Sequence, residues 1–166
     1  MVEALTNSLV EFFRNSVPKE LIVFIISLFP VLELRGGMLA AKLLDVDFIK
    51  AFFICYLGNI LPIPFILLFI RKIFDFLKKF GVGKRIVEKL EKKSMGKKDK
   101  VLKYKRWGLL FFVAIPLPGT GGWTGALIAS LLDIRIKSSL PIIALGVLIA
   151  DLIMSALSYG LLGLII

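Results

Sequence analysis

Histidine is absent from this 166-residue chain, and cysteine occurs once, at position 55. Without histidine, the chain cannot carry out histidine general-base chemistry or build a histidine metal site. Cys55 has no second cysteine with which to form an intramolecular disulfide or a thiolate cluster. No serine or cysteine stands in a nucleophile motif. We therefore expect no enzyme activity, no cofactor and no metal site.

Acidic residues are also scarce, with 12 Asp or Glu against 22 Lys or Arg and a net charge of +10. The excess lies in residues 71–106, which hold 15 basic and four acidic residues. The positive-inside rule places such a segment on the cytoplasmic side of a membrane, where it attracts anionic lipid headgroups. We expect a cytoplasmic loop of a protein in the cytoplasmic membrane, with membrane lipids as partners and no nucleic acid.

Hydrophobic residues, by contrast, make up 58% of the chain. The mean hydropathy is +0.89, which is typical of integral membrane proteins, and one membrane domain over residues 1–166 is expected. Residues 48–70 are long enough to cross a bilayer, with a kink at Pro62 and Pro64. Residues 140–166 form a second apolar span.

The first 18 residues are too polar to span a membrane. Their apolar side chains recur near helical spacing, with Asn7, Glu11 and Arg14 on the other side. This pattern predicts an amphipathic helix at the membrane interface over residues 1–18. Its apolar face comprises Leu5, Leu9, Phe12 and Phe13.

Two apolar stretches are interrupted where a membrane helix would be expected to continue. Residues 115–133 contain two prolines, four glycines and two threonines, and the apolar pieces on either side are much shorter than the ~20 residues of a span. Residues 21–44 are broken similarly by a Glu, an Arg and two glycines. Each stretch predicts a re-entrant helical hairpin, over 21–44 and 108–132, whose tip must be surrounded by protein or water.

The sequence also repeats itself at an offset of 88 residues, which aligns residues 29–61 with 117–149 without a gap. The informative identities are Pro30 with Pro118, Gly37 with Gly125, Ala41 with Ala129, Asp45 with Asp133 and Gly58 with Gly146. Because one basic loop separates the halves, they should cross the membrane in opposite directions. The predicted fold is an all-α integral membrane protein with an inverted repeat of two units, 19–70 and 107–166. Each unit is a re-entrant hairpin followed by a transmembrane helix, a design typical of secondary transporters.

The motifs ELRGG at residues 33–37 and PLPGTGGWTGAL at 116–127 resemble those of small multi-drug export proteins. That family is similar to the larger DedA, or VTT-domain, superfamily, whose members are implicated in moving lipids, including undecaprenyl phosphate. The resemblance implies paired re-entrant loops and a lipid-like substrate. It assigns Glu33 to an acidic position of the first hairpin. A glycine-aspartate pair of the superfamily reads Gly58 and Asn59 here, and its arginine motif is matched only loosely by Lys105 and Arg106.

Candidate site residues in the first hairpin are Glu33, Arg35, Gly36 and Gly37. A charge near the bilayer centre costs at least ~2.5 kcal/mol, so Glu33 and Arg35 must be paired or face water. Arg35 is suited to gripping a phosphate or carboxylate of the substrate, and Glu33 to taking up and releasing a proton. Alternatively, the two side chains simply neutralise each other.

The second hairpin offers backbone N–H groups at the start of a half-helix, which favours an anion. Two hydroxyls and an indole that could cover an apolar tail add to this site, or the glycines serve only close helix packing. The candidate substrate-binding residues are Gly119, Thr120, Gly121, Gly122, Trp123 and Thr124.

Two further polar residues lie within the predicted spans. Asp151 is a second candidate for proton coupling, although Ser155, one helical turn away, could instead satisfy its carboxyl group. Asn59 contributes a neutral polar group from the first half.

These patterns favour a small transporter that moves an anionic amphipathic substrate by alternating access. The resemblance implies undecaprenyl phosphate or another lipid phosphate as that substrate. The alternatives are an exporter of amphipathic drugs and a non-transporting scaffold or assembly factor that uses its basic loop. At this chain length we expect a homodimer.

Overall fold

The computed structural model describes residues 2–14, 16–79, 98–117, 119–132 and 134–160. Over these residues the chain is all-α, without strands. The helices are α1 Val2–Phe13, α2 Lys19–Leu28, α3 Glu33–Leu43, α4 Phe48–Ile60, α5 Ile63–Lys79, α6 Lys98–Ala114, α7 Gly122–Leu131 and α8 Ile136–Ser158.

Two helical stretches are long and apolar enough to cross a membrane. Phe48–Ile70 and Ile136–Ser158 have 23 residues each and mean hydropathies of 2.2 and 2.3. The first carries a stripe of side chains, spaced three or four residues apart, that are each more than half exposed. They are Ile49, Phe53, Leu57, Leu61, Phe65 and Leu68. An apolar stripe of this length is suited to lipid and would be unusual on a soluble monomer. The fold is therefore that of an integral membrane protein.

The first span has the predicted bounds, residues 48–70, whereas the bounds of the second differ from the sequence prediction. The first is interrupted between α4 and α5 near Pro62, because Pro62 and Pro64 lack the N–H groups that a continuous helix needs. The predicted kink is thus confirmed, and α5 continues past residue 70 to Lys79. Residues 80–97, half of the predicted basic loop, lie outside the described part.

The second span begins at Ile136 rather than at residue 140. Its first turn is polar, so hydropathy alone did not reveal it, but the Ser138 and Ser139 N–H groups donate to Arg135 O. The helix ends at Ser158, before Gly160 with φ +68°. The remainder of the predicted span, residues 161–166, lies outside the described part.

The helix α1 packs against α3. Thr6 and Val10 are buried there, whereas Leu5 and Phe12 of the predicted apolar face are 44% and 74% exposed. This packing leaves part of the predicted apolar face of the helix exposed. Its position at the membrane interface stays a prediction.

Helix ends cluster at the two ends of α8. At its C-terminal end, Tyr159 Oη donates to Val46 O at 2.8 Å, and Lys19 Nζ donates to Asp45 O at 2.8 Å. Burial raises the pKa of Tyr159 to about 12, so the phenol is a neutral donor. At the N-terminal end of α8, an Arg106 N–H donates to Ser138 Oγ at 3.4 Å. Both ends of the α2–α3 pair therefore lie at one end of α8, and the middle of α6 contacts the other.

Candidate functional site

The tips of the two helical pairs meet through Arg35. This residue lies in the first turn of α3, and its guanidinium donates to Thr120 O at 2.5 Å and to Thr120 Oγ1 at 3.1 Å. Charge-assisted hydrogen bonds of this kind are stronger than bonds between neutral groups. Arg35 thus connects the start of α3 to the loop before α7.

Thr120 also organises its own loop. Its Oγ1 lies 2.7 Å from both Ile115 O and Leu117 O, and it accepts a hydrogen bond from the Leu117 N–H at 3.1 Å. The proline-rich segment has few backbone donors, so the threonine hydroxyl replaces part of the missing backbone bonding. The residue that Arg35 contacts is therefore held in place by its own loop.

Glu33 makes the second connection between the tips. The carboxylate Oε1 accepts a hydrogen bond from the Trp123 N–H at 3.2 Å, at the start of α7. A helix N-terminus favours a negative charge, and only 4% of Glu33 is exposed. The anion that binds at this helix start is therefore a side chain of the protein itself.

The conformations of Glu33 and Gly121 fit this contact. A Cβ atom at Gly121 would coincide with the Glu33 carboxyl group, and Gly121 has φ +128°, which favours glycine. Glu33 has φ +48°, an uncommon value for a residue other than glycine. Such backbone strain costs about 1–3 kcal/mol and persists where tertiary contacts hold it. The Trp123 N–H contact supplies that restraint.

The junction lies at the middle of both spans. A Cβ at Gly122 would lie 2.5 Å from Asn59 Oδ1 and 3.2 Å from Val147 Cγ2. Asn59 and Val147 are each the middle residue of their 23-residue span. The side-chain amide of Asn59 is fully buried and has no hydrogen-bond partner in the described part of the chain. These contacts place the junction, Glu33, Arg35, Thr120 and Trp123, halfway along the membrane-spanning helices.

A second buried polar layer lies one helical turn from the junction. Gly37 follows Glu33 by one turn on α3, Cys55 precedes Asn59 on α4, and Asp151 follows Val147 on α8. A Cβ at Gly37 would meet Ser27 Oγ and would lie 2.9 Å from Cys55 Sγ. Helices α2, α3, α4 and α8 therefore converge here.

Asp151 is the ionisable group of this layer in α8. It is fully buried, and neither carboxylate oxygen has a hydrogen-bond partner among the described residues. Ser155, which the sequence offered as its partner, instead donates to Met38 Sδ at 3.7 Å. The alternative prediction, in which Ser155 satisfies the carboxyl group of Asp151, is therefore wrong.

Apart from Asp151, which lies in the second polar layer, the sequence-predicted site residues divide into three groups. Glu33, Arg35, Asn59, Thr120, Gly121, Gly122 and Trp123 come together at mid-span. Gly36 and Gly37 serve helix packing, Gly36 against Thr6 and Ile26. Gly119 has no atom within 4 Å of its missing Cβ, and Thr124 is half-buried in α7.

Three residues of the second layer escaped the sequence analysis, namely Ser27, Met38 and Cys55. Cys55 had a detectable signal, because it precedes Asn59 by four residues and so shares its helix face. Ser27 and Met38 had none, since their neighbours come from distant parts of the chain. Among the described residues, no group of three or more His, Cys, Asp or Glu could hold a metal ion.

The chain was compared with known proteins. A family profile described as small multi-drug export protein, an activity that the name itself treats as a proposal, matches residues 33–153. This range includes the tip junction, Met38, Cys55 and Asp151 of the second polar layer, all of the first span and most of the second. No curated protein and no solved structure matches significantly.

Proposed function

Because the chain belongs to the family of small multi-drug export proteins, we propose that it exports amphipathic compounds across a membrane by alternating access. The observation that supports this best is the tip junction at mid-span, where Arg35 and Glu33 of one hairpin bind the other hairpin. Breaking a few polar contacts there would separate the tips and open a path from one side. Re-forming them would close it.

The proposal includes re-entrant hairpins of opposite orientation. It is supported by the positions of the hairpin ends, since Lys19 and Asp45 lie at the C-terminal end of α8 and Arg106 lies at its N-terminal end. A hairpin whose two ends are on one side and whose tip is at mid-span enters and leaves the membrane on the same side. This arrangement is the one in which broken helices of secondary transporters meet.

An inverted duplication is supported by matching backbone details at the 88-residue offset. The spans begin at Phe48 and Ile136. The Leu44 N–H donates to Ala40 O and the Leu132 N–H to Ile128 O, each at 2.9 Å. The Val46 N–H donates to Ala41 O and the Ile134 N–H to Ala129 O, again each at 2.9 Å. We extend the proposal to a distant relationship with the DedA superfamily on the motif resemblance alone.

The cycle that we propose uses Glu33 as a proton-sensitive part of the gate. A charged carboxylate is attracted to the N-terminus of α7, and protonation removes that attraction and weakens the bond from the Trp123 N–H. Arg35 would then remain the main connection between the tips. Proton binding at Glu33 therefore favours separation of the hairpins.

The proposal is tested by transport in proteoliposomes with a panel of fluorescent amphiphiles. Arg35→Ala should lower uptake at least tenfold, because the tips then lose two hydrogen bonds that close the gate. Arg106→Ala is the matched control, since Arg106 is exposed and bonds only to Ser138 in the described part. Equal loss in both variants, or none in Arg35→Ala, would remove the junction from the mechanism.

An anionic lipid phosphate is a second candidate substrate, supported by the half-buried Arg35 guanidinium at mid-span. Binding would require Arg35 to exchange Thr120 for the phosphate. Native mass spectrometry of the gently solubilised protein should then show an acidic or polyprenyl lipid that Arg35→Ala loses. Equal lipid retention by both proteins would exclude a lipid phosphate bound at Arg35 and would leave other amphiphiles as the substrate class.

The scaffold hypothesis makes a different prediction. It expects a phenotype from charge reversal in the basic segment, residues 89–100, and none from changes at the tips. Most of that segment lies outside the described residues. The location of the basic loop, residues 71–106, in the cytoplasm stays a prediction. The formation of a homodimer stays a prediction as well.

A further inference from the structure

The inference concerns the second polar layer, one turn from the tip junction. Its side chains come from four helices and are at most 1% exposed: Ser27, Met38, Cys55, Asp151 and Ser155. The layer contains the carboxyl group that has no hydrogen-bond partner among the described residues. The proposed function assigns it no role in the gate.

The two buried carboxyl groups among the described side chains differ in the donors and opposite charges near them. Glu33 receives the Trp123 N–H at the start of α7 and lies two residues from Arg35. Asp151 receives no such bond. A carboxylate without donors or a counter-charge is strongly disfavoured inside a membrane, so Asp151 must bind a proton or another cation.

The groups that face Asp151 from the neighbouring helices do not supply that charge. From α4 the thiol of Cys55 is close enough to Asp151 to interact with it electrostatically. From α3 the layer contains the thioether of Met38, which accepts a hydrogen bond from Ser155. Lys42, one turn beyond Met38, directs its ammonium over the Tyr159 ring, 5.4 Å from the centroid. Near the middle of α8, the helices α6 and α7 contact it through Val113 and Gly122, neither of which is titratable. Among the described side chains, that of Arg106 in α6 bonds to α8 only at Ser138, 13 residues before Asp151 in the same helix. Within the described part, no fixed cation neutralises Asp151.

We propose that Asp151 is the cation-exchange group of this exporter and that its cargo is a lipophilic organic cation. The carboxyl group loses its proton when the positive charge of the cargo arrives, and regains a proton when the cargo leaves. The inference rests on the proposed export function and specifies its substrate class. Glu33 remains a gate residue.

The side chains of the second polar layer favour an organic cation over a hydrated metal ion. Methionine and cysteine are soft, polarizable and adaptable, which suits apolar and aromatic groups of varied shape. Hard metal ions instead require six or more oxygen ligands or several retained waters. The Ser27 and Ser155 hydroxyls are already used, donating to Val23 O and Met38 Sδ. A single carboxylate beside polarizable sulfur atoms can balance the single, delocalised positive charge of an organic cation.

The test uses the full-length protein in detergent, with tetraphenylphosphonium as the probe. Calorimetry in buffers of different ionisation enthalpy gives both the affinity and the number of protons released. The wild type should release about one proton per cation bound. Asp151→Asn should bind at least tenfold more weakly and release no proton. Asp45→Asn is the matched control, because Asp45 is exposed and its φ of +49° suits asparagine.

Glu33→Gln distinguishes the two buried carboxyl groups. Proton release per bound cation should persist in this variant, even if its affinity changes. Release that is lost in Glu33→Gln and kept in Asp151→Asn would overturn the assignment. Absence of tetraphenylphosphonium binding by the wild type would overturn it as well.

Cys55, the single cysteine, reports whether Asp151→Asn folds. It is fully buried, so a maleimide should react slowly with the folded variant and rapidly with unfolded protein. A second measurement needs no variant. A carbodiimide should modify protonated Asp151 in the wild type, mapped by peptide mass spectrometry, and tetraphenylphosphonium should protect it. Modification at Asp151 without protection would contradict the exchange.

Failure of this inference is distinguishable from failure of the proposed function. A wild type that transports neutral or anionic amphiphiles, but neither binds nor transports tetraphenylphosphonium, retains the function and refutes the inference. A wild type that transports no amphiphile at all refutes the proposed function, whatever its binding.

Discussion

At the scale of single residues, the absence of a side chain at Gly121 matters as much as the presence of one at Glu33. The carboxyl group of Glu33 occupies the position that a Cβ at Gly121 would take. A bulkier residue there would displace Glu33 and break its hydrogen bond with the Trp123 N–H. The glycine is thus part of the binding geometry of the acid.

We predict that Gly121→Ala lowers stability by about 3 kcal/mol, from strain and overpacking together. Gly119→Ala is the control, since Gly119 has φ +85° but open space around its missing Cβ. It should lose only about 1 kcal/mol, from strain. Thermal unfolding in detergent, followed by exposure of Cys55 to a fluorogenic maleimide, measures both. Equal losses would show that the Glu33 contact contributes nothing.

A second residue-scale prediction concerns Thr6. Its hydroxyl is fully buried against α3 and has no hydrogen-bond partner in the described part. Thr6→Val keeps the shape and removes a buried unsatisfied group, so it should stabilise the protein by about 1 kcal/mol. Thr6→Ser, which keeps the hydroxyl and loses the methyl group, should destabilise it. The opposite order in unfolding experiments would indicate that the hydroxyl is bonded.

The chemistry of the candidate residues could be predicted from the sequence, but most of their partners could not. Charged residues beside glycines in a broken apolar run indicated a site around Glu33 and Arg35. That Glu33 would fill the space at Gly121 depends on contacts between residues far apart in sequence. The expectation of free N–H groups for a substrate anion was accordingly incomplete, because Glu33 accepts one of them.

At the scale of elements, helix packing relies on glycine at the closest approaches. A Cβ at Gly146 in α8 would lie 2.7 Å from Val113 Cβ and 3.2 Å from Leu110 O of α6. Small residues at helix interfaces let backbones approach closely in membranes. Gly108, on the exposed side of α6, has no neighbour within 4 Å of its missing Cβ.

Gly146→Ala should therefore destabilise the protein by about 1–3 kcal/mol through overpacking. Gly108→Ala should stabilise it by up to about 1 kcal/mol, since alanine is the better helix former and meets nothing there. Unfolding temperatures in the same detergent give the comparison. A neutral Gly146→Ala would mean that α6 and α8 can move apart at no cost.

Helix existence was predictable because proline and glycine interrupt the apolar pattern at the right places. Boundaries were less so: the polar first turn of α8 and the extension of α5 to Lys79 carry no hydropathy signal. The face of α1 that packs on α3 was not predicted, because burial of Thr6 depends on Gly36 and not on the pattern within α1 itself.

At the scale of the whole molecule, the proposed opposite orientation of the spans can be measured. In a Cys55→Ser background, Lys50→Cys and Lys137→Cys place one thiol at the start of each span, and both positions are exposed. A membrane-impermeant maleimide should label Lys50→Cys in intact cells and Lys137→Cys in inside-out vesicles, as the positive-inside rule requires. Labelling of both from the same side would contradict the inverted arrangement.

Glu33 and Gly121 are themselves 88 positions apart in the sequence. In a symmetric pair of identical halves, each copy would present the same residue at this point, either two acids in mutual repulsion or two glycines with a void. If the halves arose by duplication, fusion into one gene allowed one copy to keep the acid and the other to lose its side chain. Their divergence is then irreversible in practice, since restoring symmetry requires both positions to change together.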